Sequence, residues 1–254
     1  MRSEHGHLWK DSAGREFYGL LDAGTFEPVW QPVGNYINAM WVFEWKADEC
    51  GWPTKTKARL VARGDEWRVT IDFGELFAPT VDVSSVRLLT AMACELDLDL
   101  CHFDIQQAFV QSDLEENVYM CLPQGCGRLS GKIVRLNKSL YRLKQASRQR
   151  HAHFTKCLLK IVYVQRLADA CVVRLMEEGS VVMTIVEHVD DIFAVGERAR
   201  CDQFDKDLHQ MVPVKNLGEL RWYSGCFYER DWEKGVLKIS LQTFAEQLAD
   251  EYGI

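Results

Sequence analysis

Three aspartates in two apolar segments could do chemistry together. Asp104 lies in CHFDIQQAF, whereas Asp190 and Asp191 lie together in TIVEHVDDIFAVG, much further along the chain. The β-branched and aromatic neighbours of each aspartate predict buried strands. A carboxylate beside a buried strand is costly unless it is paired or binds a metal. We therefore expect the three carboxylates to meet and to bind hard divalent cations.

Two bound ions would give this site a specific chemistry. Ions about 3.5–4 Å apart can hold the attacking and the leaving oxygen of a phosphoryl transfer. The pattern thus predicts a nucleic-acid polymerase that uses two Mg²⁺ ions, with Mn²⁺ as a possible substitute. A metal-dependent phosphohydrolase could use the same carboxylates. It would need neither the block KSLYRLKQ nor an aromatic residue after the first aspartate.

Composition excludes several other classes of protein. The chain has 254 residues, is 47% hydrophobic and has a formal net charge of −7, which is typical of a globular protein with a core. No apolar run reaches about 18 residues, so no transmembrane helix is expected, and the first residues lack the apolar region of a secretory signal. The nine cysteines include no CxxC pair, which favours reduced thiols and a cytoplasmic location. Zinc binding by Cys121, Cys126, His151 and His153 would match none of the usual ligand spacings.

Two basic segments stand out from the negative total. Residues 132–150, KIVRLNKSLYRLKQASRQR, contain no acidic residue, and KTKARLVARG carries Lys55, Lys57, Arg59 and Arg63. Local positive charge predicts contacts with phosphate groups, although the net charge argues mildly against a nucleic-acid binder. Solvated faces of a helix or a hairpin are the alternative interpretation of both segments.

The order of periodic segments predicts an α+β fold in which antiparallel strands and helices are mixed. The first predicted elements are a helix and loop over 1–30, a hairpin of strands 39–48 and 57–64, an irregular loop over 73–82, and a helix capped by Ser84 or Ser85 that runs to Glu95. A strand into Asp104 follows, then a short helix or turn, a strand over 117–123 and a helix over 139–162. The last elements are a hairpin over 180–196 with Val189, Asp190 and Asp191 at its tip, a helix over 199–211, a hairpin over 221–241 that turns near Glu233–Gly235, and a final helix.

Seven of these segments resemble, in order and spacing, the reverse transcriptase of copia-type LTR retrotransposons. The segments are KARLVARG, ELFAPTVDVSSVRLLTAMA, FDIQQAF, LEENVYMCLPQG, RLNKSLYRLKQASR, HVDDIFAVG and LGELRWYSG. The resemblance covers roughly residues 9–254. It implies a right-hand polymerase with fingers and an antiparallel palm sheet over 31–254, a truncated thumb, and an N-terminal extension over 1–30.

The resemblance also implies a role for particular residues. Asp104, Asp190 and Asp191 would be catalytic and would bind the metal ions, together with the backbone of Ile105. Lys57, Arg59, Phe109 and Gln145 would bind the incoming nucleotide, with Phe109 as a gate against the ribose 2′-hydroxyl. Arg142, Lys144, Arg148, Trp222 and Gly225 would contact nucleic acid.

The expected partners follow from the same resemblance. They are deoxynucleoside triphosphates and an RNA or DNA template with a primer, and no membrane. The integrase and ribonuclease H of a Pol polyprotein are expected to be absent from this chain. If the element is active, the protein would be found in a cytoplasmic virus-like particle.

Several positions depart from the family pattern. His188 stands where the family has Tyr, Arg142 replaces a Gly, Ser147 replaces a Pro and Arg150 replaces a Trp. If the replaced glycine needs a positive φ, then Arg142 is strained. These departures support a second hypothesis, a decayed copy that is weakly active or inactive and that at most binds nucleic acid.

Overall fold

The computed structural model describes residues 5–32, 34–47, 52–66, 77–165 and 169–253. The chain divides into a first unit, Met1–Ala78 with Ala108–His153, and a second unit, Pro79–Gln107 with Phe154–Ile254. The helices are α1 (Gly6–Asp22), α2 (Val83–Glu95), α3 (Ala146–Lys160), α4 (Arg198–His209) and α5 (Gln242–Tyr252). The strands are β1 (Phe26–Pro28), β2 (Tyr36–Ala47), β3 (Pro53–Ala62), β4 (Asp99–Ile105), β5 (Asp113–Cys121), β6 (Ile133–Lys138), β7 (Tyr163–Gln165), β8 (Val172–Glu177), β9 (Ser180–His188), β10 (Asp191–Gly196), β11 (Val214–Glu219), β12 (Trp222–Tyr223), β13 (Cys226–Asp231) and β14 (Val236–Ser240). The mixture of sheets and helices confirms the α+β class.

A five-stranded sheet forms the centre of the first unit. Its strand order is β1-β6-β5-β2-β3, and β2 and β5 are its parallel pair. The predicted hairpin is confirmed as β2 and β3, in which Ala39 lies opposite Ala62. Helix α1 contributes Phe17 and Leu20 to the same hydrophobic cluster as Leu60 of β3. The N-terminal helix is therefore part of the core of this unit.

A six-stranded antiparallel sheet forms the centre of the second unit. Its order is β11-β4-β10-β9-β8-β7. The predicted strand into Asp104 is β4, and the predicted hairpin over 180–196 is β9 and β10. A smaller sheet, β12-β13-β14, contains the hairpin predicted over 221–241. No helix in the described part of the chain is long and apolar enough to cross a membrane.

Three predicted details are wrong. The helix predicted from residue 139 begins at Ala146, because residues 140–143 form a turn in which the Leu143 N–H donates to the Leu140 carbonyl at 3.2 Å. Helix α2 is capped by Asp82, whose carboxylate accepts the Ser84 N–H at 2.7 Å, and not by a serine. Asp191 is paired within β10 and does not lie in the preceding turn. Of the loop predicted over 73–82, residues 73–76 lie outside the described residues.

Candidate active site

The register of the second unit's sheet brings two of the predicted carboxylates together. Asp104 of β4 lies directly opposite Asp191 of β10. Side chains in such a pair share one face, with Cβ atoms about 4.5–5.5 Å apart. The Asp190 carbonyl accepts the Ile105 N–H at 2.8 Å, which ties the turn before β10 to the end of β4. The predicted metal-binding residues, Ile105 included, therefore lie at one end of this sheet.

Two basic side chains extend the row of aspartates across the sheet. Lys215 of β11 lies opposite Asp104 on its other side, and His188 of β9 lies opposite Asp191. The His102 ring Nε2 lies 3.1 Å from Asp191 Oδ1, within hydrogen-bonding distance. Sequence reasoning missed Lys215 and His102. The spacing of His102, two residues before Asp104 and hence on the same face of a strand, was the signal that could have found the histidine.

A buried tyrosine lies next to these groups. Tyr223 is 2% exposed, and its ring centroid lies 6.2 Å from the rings of both His102 and His188. Its hydroxyl has no hydrogen-bond partner within the described residues. Burial, followed by the negative charge of Asp191, raises the pKa of Tyr223 well above its ordinary value. The phenol therefore stays protonated beside the carboxylates at any physiological pH.

The turn that carries Asp190 is strained. Val189 has a φ of +52°, in the left-handed region, and it links His188 of β9 to Asp190. A β-branched residue is rare there, since left-handed backbone costs about 1–2 kcal/mol for a residue with a Cβ. A two-residue hairpin turn with a positive φ at its first central position normally has glycine at that position. Strain of this kind concentrates at functional sites, where the surrounding structure holds it in place.

The donor set of this site is the kind that hard divalent cations prefer. Mg²⁺ and Mn²⁺ take carboxylate oxygens, and a cation would neutralise the repulsion between Asp104 and Asp191. Within the described ranges, no three His, Cys, Asp or Glu side chains are already arranged as a metal site, and this includes the cysteines and histidines considered for zinc. Binding of Mg²⁺ by the three aspartates stays a prediction.

In the first unit, Arg59 and Phe109, two of the residues predicted to bind the nucleotide, lie close to one tyrosine. The guanidinium of Arg59 lies 6.0 Å from the centroid of the Tyr141 ring, and the Phe109 ring meets the same tyrosine edge-on at 5.2 Å. Arg59 also forms an ion pair with Glu44 at 2.9 Å. Lys57 precedes Arg59 by two residues on β3 and so shares its face. Tyr141 was not recognised from the sequence as part of this group.

Gln145 occupies an unusual environment in the first unit. It is 1% exposed, and neither its Oε1 nor its Nε2 has a hydrogen-bond partner in the described part of the chain. A buried amide in this state costs about 1–3 kcal/mol per unsatisfied group, so it calls for a specific explanation. The predicted contact between Gln145 and a nucleotide stays a prediction, and it would have to reach a side chain that is buried here.

The remaining predicted contacts lie in both units. Trp222 is 41% exposed and packs on Phe227 with a centroid distance of 4.9 Å. Gly225 has a φ of +78° and follows Ser224, with a φ of +50°, in the two-residue turn between β12 and β13. Positive φ at both positions is the type I′ pattern, which favours glycine at the second position. Arg142, Lys144 and Arg148 lie in the first unit, whereas Trp222 and Gly225 lie in the second.

Arg142 is strained, as the family glycine predicted. Its φ is +66°. Arg142→Gly is expected to raise the free energy of unfolding by about 1 kcal/mol, because glycine adopts this conformation without steric cost. The midpoint of urea unfolding measures the effect, and Arg142→Lys, which keeps both the Cβ and the charge, is the matched control. Equal midpoints for the glycine and lysine variants would contradict the assignment of strain.

Comparison with known proteins identifies the family of this chain. The sequence model of the family described as reverse transcriptase (RNA-dependent DNA polymerase) matches residues 24–254. The chain therefore belongs to the reverse transcriptase family, as its motifs predicted.

Its curated relatives are polyproteins of transposons. The chain is 32% identical over 246 residues to the retrovirus-related Pol polyprotein from transposon TNT 1-94 of Nicotiana tabacum, a match that covers 94% of this chain and 18% of the polyprotein. It is 30% identical over 227 residues to the Pol polyprotein from transposon RE1 of Arabidopsis thaliana, which covers 87% of this chain and 15% of the polyprotein. The Gag-Pol polyprotein of transposon Ty1-ER2 of Saccharomyces cerevisiae is 29% identical over 179 residues, 68% of this chain and 9% of the polyprotein. The chain thus spans less than a fifth of each of these relatives.

Proposed function

We propose that this chain copies an RNA template into DNA by adding deoxynucleotides to a primer 3′-hydroxyl. The observation that carries the proposal is the in-register pair of Asp104 and Asp191, beside Asp190, in a chain of the reverse transcriptase family. In this proposal the second unit is the palm and the first unit is the fingers. The reaction would take place in the cytoplasm or in a particle that the element assembles there.

The side chains of the second unit would have distinct tasks. Asp104, Asp190 and Asp191 would hold two Mg²⁺ ions. The ions would stabilise the charge that develops on the attacking and leaving oxygens. His102, at 3.1 Å from Asp191 Oδ1, limits the directions in which that carboxylate can turn. The protonated, buried Tyr223 excludes water from behind the two histidine rings.

The first unit would bind the nucleotide. The positive charges of Lys57 and Arg59 suit a triphosphate, to which they would donate charge-assisted hydrogen bonds. Arg59 would exchange its ion pair with Glu44 for this contact. The Phe109 ring, held edge-on by Tyr141, would exclude the ribose 2′-hydroxyl by its bulk. The unsatisfied amide of Gln145 is the state expected of a polar group that gains its partner only with the ligand.

Primer extension tests the proposal directly. Purified chain, an RNA template, an annealed DNA primer and deoxynucleotides in Mg²⁺ or Mn²⁺ are expected to give extended primer, and Asp190→Asn is expected to abolish it. Asp207→Asn is the matched control, because Asp207 lies on α4 and its carboxylate accepts a hydrogen bond from Gln203 of the same helix. Extension by Asp190→Asn at the rate of the unchanged chain would disprove the assignment.

The second candidate function is nucleic-acid binding without synthesis. The strained Arg142 favours it, since the chain has kept an unfavourable residue where the family has glycine. This candidate predicts salt-dependent binding through residues 132–150 and no extension. Neutral replacements of Arg142, Lys144 and Arg148 should then remove the binding.

A further inference from the structure

Polar contacts dock helix α1 onto strand β3 in the first unit. The buried Ser12 hydroxyl lies 2.5 Å from Thr56 Oγ1 and 3.0 Å from the Thr56 carbonyl oxygen. Four residues further along the helix, Glu16 Oε1 accepts the Leu60 N–H at 3.4 Å. Since β3 is at the edge of its sheet in the described structure, these contacts use an edge that would otherwise be open.

Aromatic contacts hold the beginning of the same helix. The Trp9 ring meets Phe43 at 5.3 Å and Trp45 at 4.9 Å, both in edge-on geometry. Each such pair contributes about 0.5–1.5 kcal/mol beyond its buried area. Helix α1 is therefore fixed on the hairpin at both its beginning and its middle.

A cavity of about 400 Å³ opens where α1 meets β3. It is lined by Ser12, Arg15, Glu16, Lys46, Lys55, Thr56, Lys57 and Ala58. Arg15 Nη2 donates to the buried Ser12 hydroxyl at 3.2 Å, which fixes the guanidinium at the cavity wall. The lining thus has four basic side chains and one carboxylate, and one of the basic groups is held in place by a buried hydroxyl.

Positive charge exceeds negative charge in the lining of this cavity. Lys46 and Lys55 lie directly opposite each other in the β2–β3 pair, an arrangement of like charges that is destabilising. Glu44 accepts from Lys46 at 2.8 Å and is shared with Arg59. Glu16 is the one carboxylate in the lining, and burial is the main cause that raises its pKa above the ordinary value. A bound anion would remove the repulsion.

We propose that this cavity binds a phosphate-bearing polyanion, in which Arg15, Lys46 and Lys55 contact phosphate oxygens. A guanidinium suits phosphate because its planar donors match two oxygens at once, and each lysine adds a compact positive charge. The phosphate could belong to single-stranded nucleic acid or to a free nucleoside triphosphate. That the polyanion is a nucleic acid or its precursor rests on the proposed function, whereas the binding itself does not need the three aspartates.

Fluorescence anisotropy with a fluorescein-labelled 12-nucleotide oligo(U) RNA, in EDTA and over a series of salt concentrations, tests the proposal. The double variant Arg15→Gln/Lys55→Gln is expected to bind about tenfold more weakly at low salt, and the slope of log K against log salt should fall by about 0.7 for each lost contact. Lys10→Gln is the matched control, because Lys10 is exposed on α1 and does not line the cavity. The charge-retaining double variant Arg15→Lys/Lys55→Arg should restore most of the binding, which separates lost charge from lost folding.

A labelled dTTP probe under the same conditions distinguishes the two sources of phosphate. If the neutral double variant binds only the RNA more weakly, the phosphate ligand is the nucleic-acid backbone. If it binds only dTTP more weakly, the phosphate ligand is the free nucleotide. Unchanged affinity for both probes, or an equal loss in Lys10→Gln, would overturn the proposal. Because the assays contain EDTA and no metal, a failure of primer extension leaves this result standing.

Discussion

Asparagine in place of Asp104 is expected to lower the rate of primer extension by at least about 10³-fold. Asp104 would be one of the residues that hold the ions, and the loss of several kcal/mol of charge stabilisation in the transition state corresponds to a rate loss of this size. The rate of single-nucleotide addition to a primer at saturating Mg²⁺ measures it. Asp207→Asn serves again as the control for the exchange of a carboxylate for an amide.

The same substitution should change the stability of the metal-free protein by no more than about 1 kcal/mol. Asp104 lies between Asp191, a like charge, and Lys215, an opposite charge, so the repulsion that the substitution relieves is offset by the attraction that it loses. Mn²⁺ should raise the unfolding temperature of the unchanged chain, because a ligand of the folded state stabilises it, and should do so much less for the variant. A larger loss of stability without metal would instead indicate that Asp104 has a structural role.

Alanine in place of Gly64 is expected to destabilise the chain by at least about 3 kcal/mol, the upper range for an overpacked site. A Cβ at this position would lie 2.2 Å from the carbonyl oxygen of Arg142. That carbonyl cannot easily move away, since the neighbouring Tyr141 carbonyl accepts the Ala62 N–H at 3.0 Å. The close approach joins the end of β3 to the turn that precedes α3.

Urea unfolding of Gly64→Ala measures this cost against a glycine in open surroundings. Gly14 lies within α1, and a Cβ there would meet nothing within 4 Å. Gly14→Ala should therefore stabilise the chain by about 0.5–1 kcal/mol through helix propensity. If both alanine variants unfold at the same urea concentration, the close contact at Gly64 is not a real constraint.

Alternation of apolar and polar residues was enough to predict the β2–β3 hairpin. Strands β9 and β10 and the strand into Asp104 were predicted from runs of β-branched and aromatic residues, which pack well in a half-buried sheet. Strand β6 was missed because its apolar positions alternate with Arg135 and other polar residues in a segment that looked like a basic surface. The first part of the helix predicted from residue 139 was wrong because one residue, Arg142, has a left-handed backbone.

The sequence predicted the aspartates of the candidate site, but it did not predict which residues lie beside them. Asp104 and Asp191 were found because carboxylates are rare in apolar strands. Lys215 and His188 join the same row only through the register of four strands, and register depends on pairings that one sequence does not reveal. The burial of Gln145 was likewise hidden, since an amide within a basic segment is expected at the surface.

The docking of α1 also determines where the chain can be truncated without loss of its folded core. The family match begins at residue 24, after the last residue of α1. A shortened chain that began there would lose Phe17 and Leu20 from the core and would leave Leu60 without its helical cover. It would also expose the edge of β3, and an uncovered edge strand with exposed apolar residues promotes aggregation. The boundary of the family match is therefore a poor boundary for expression, and a soluble fragment should retain α1 from its first turn.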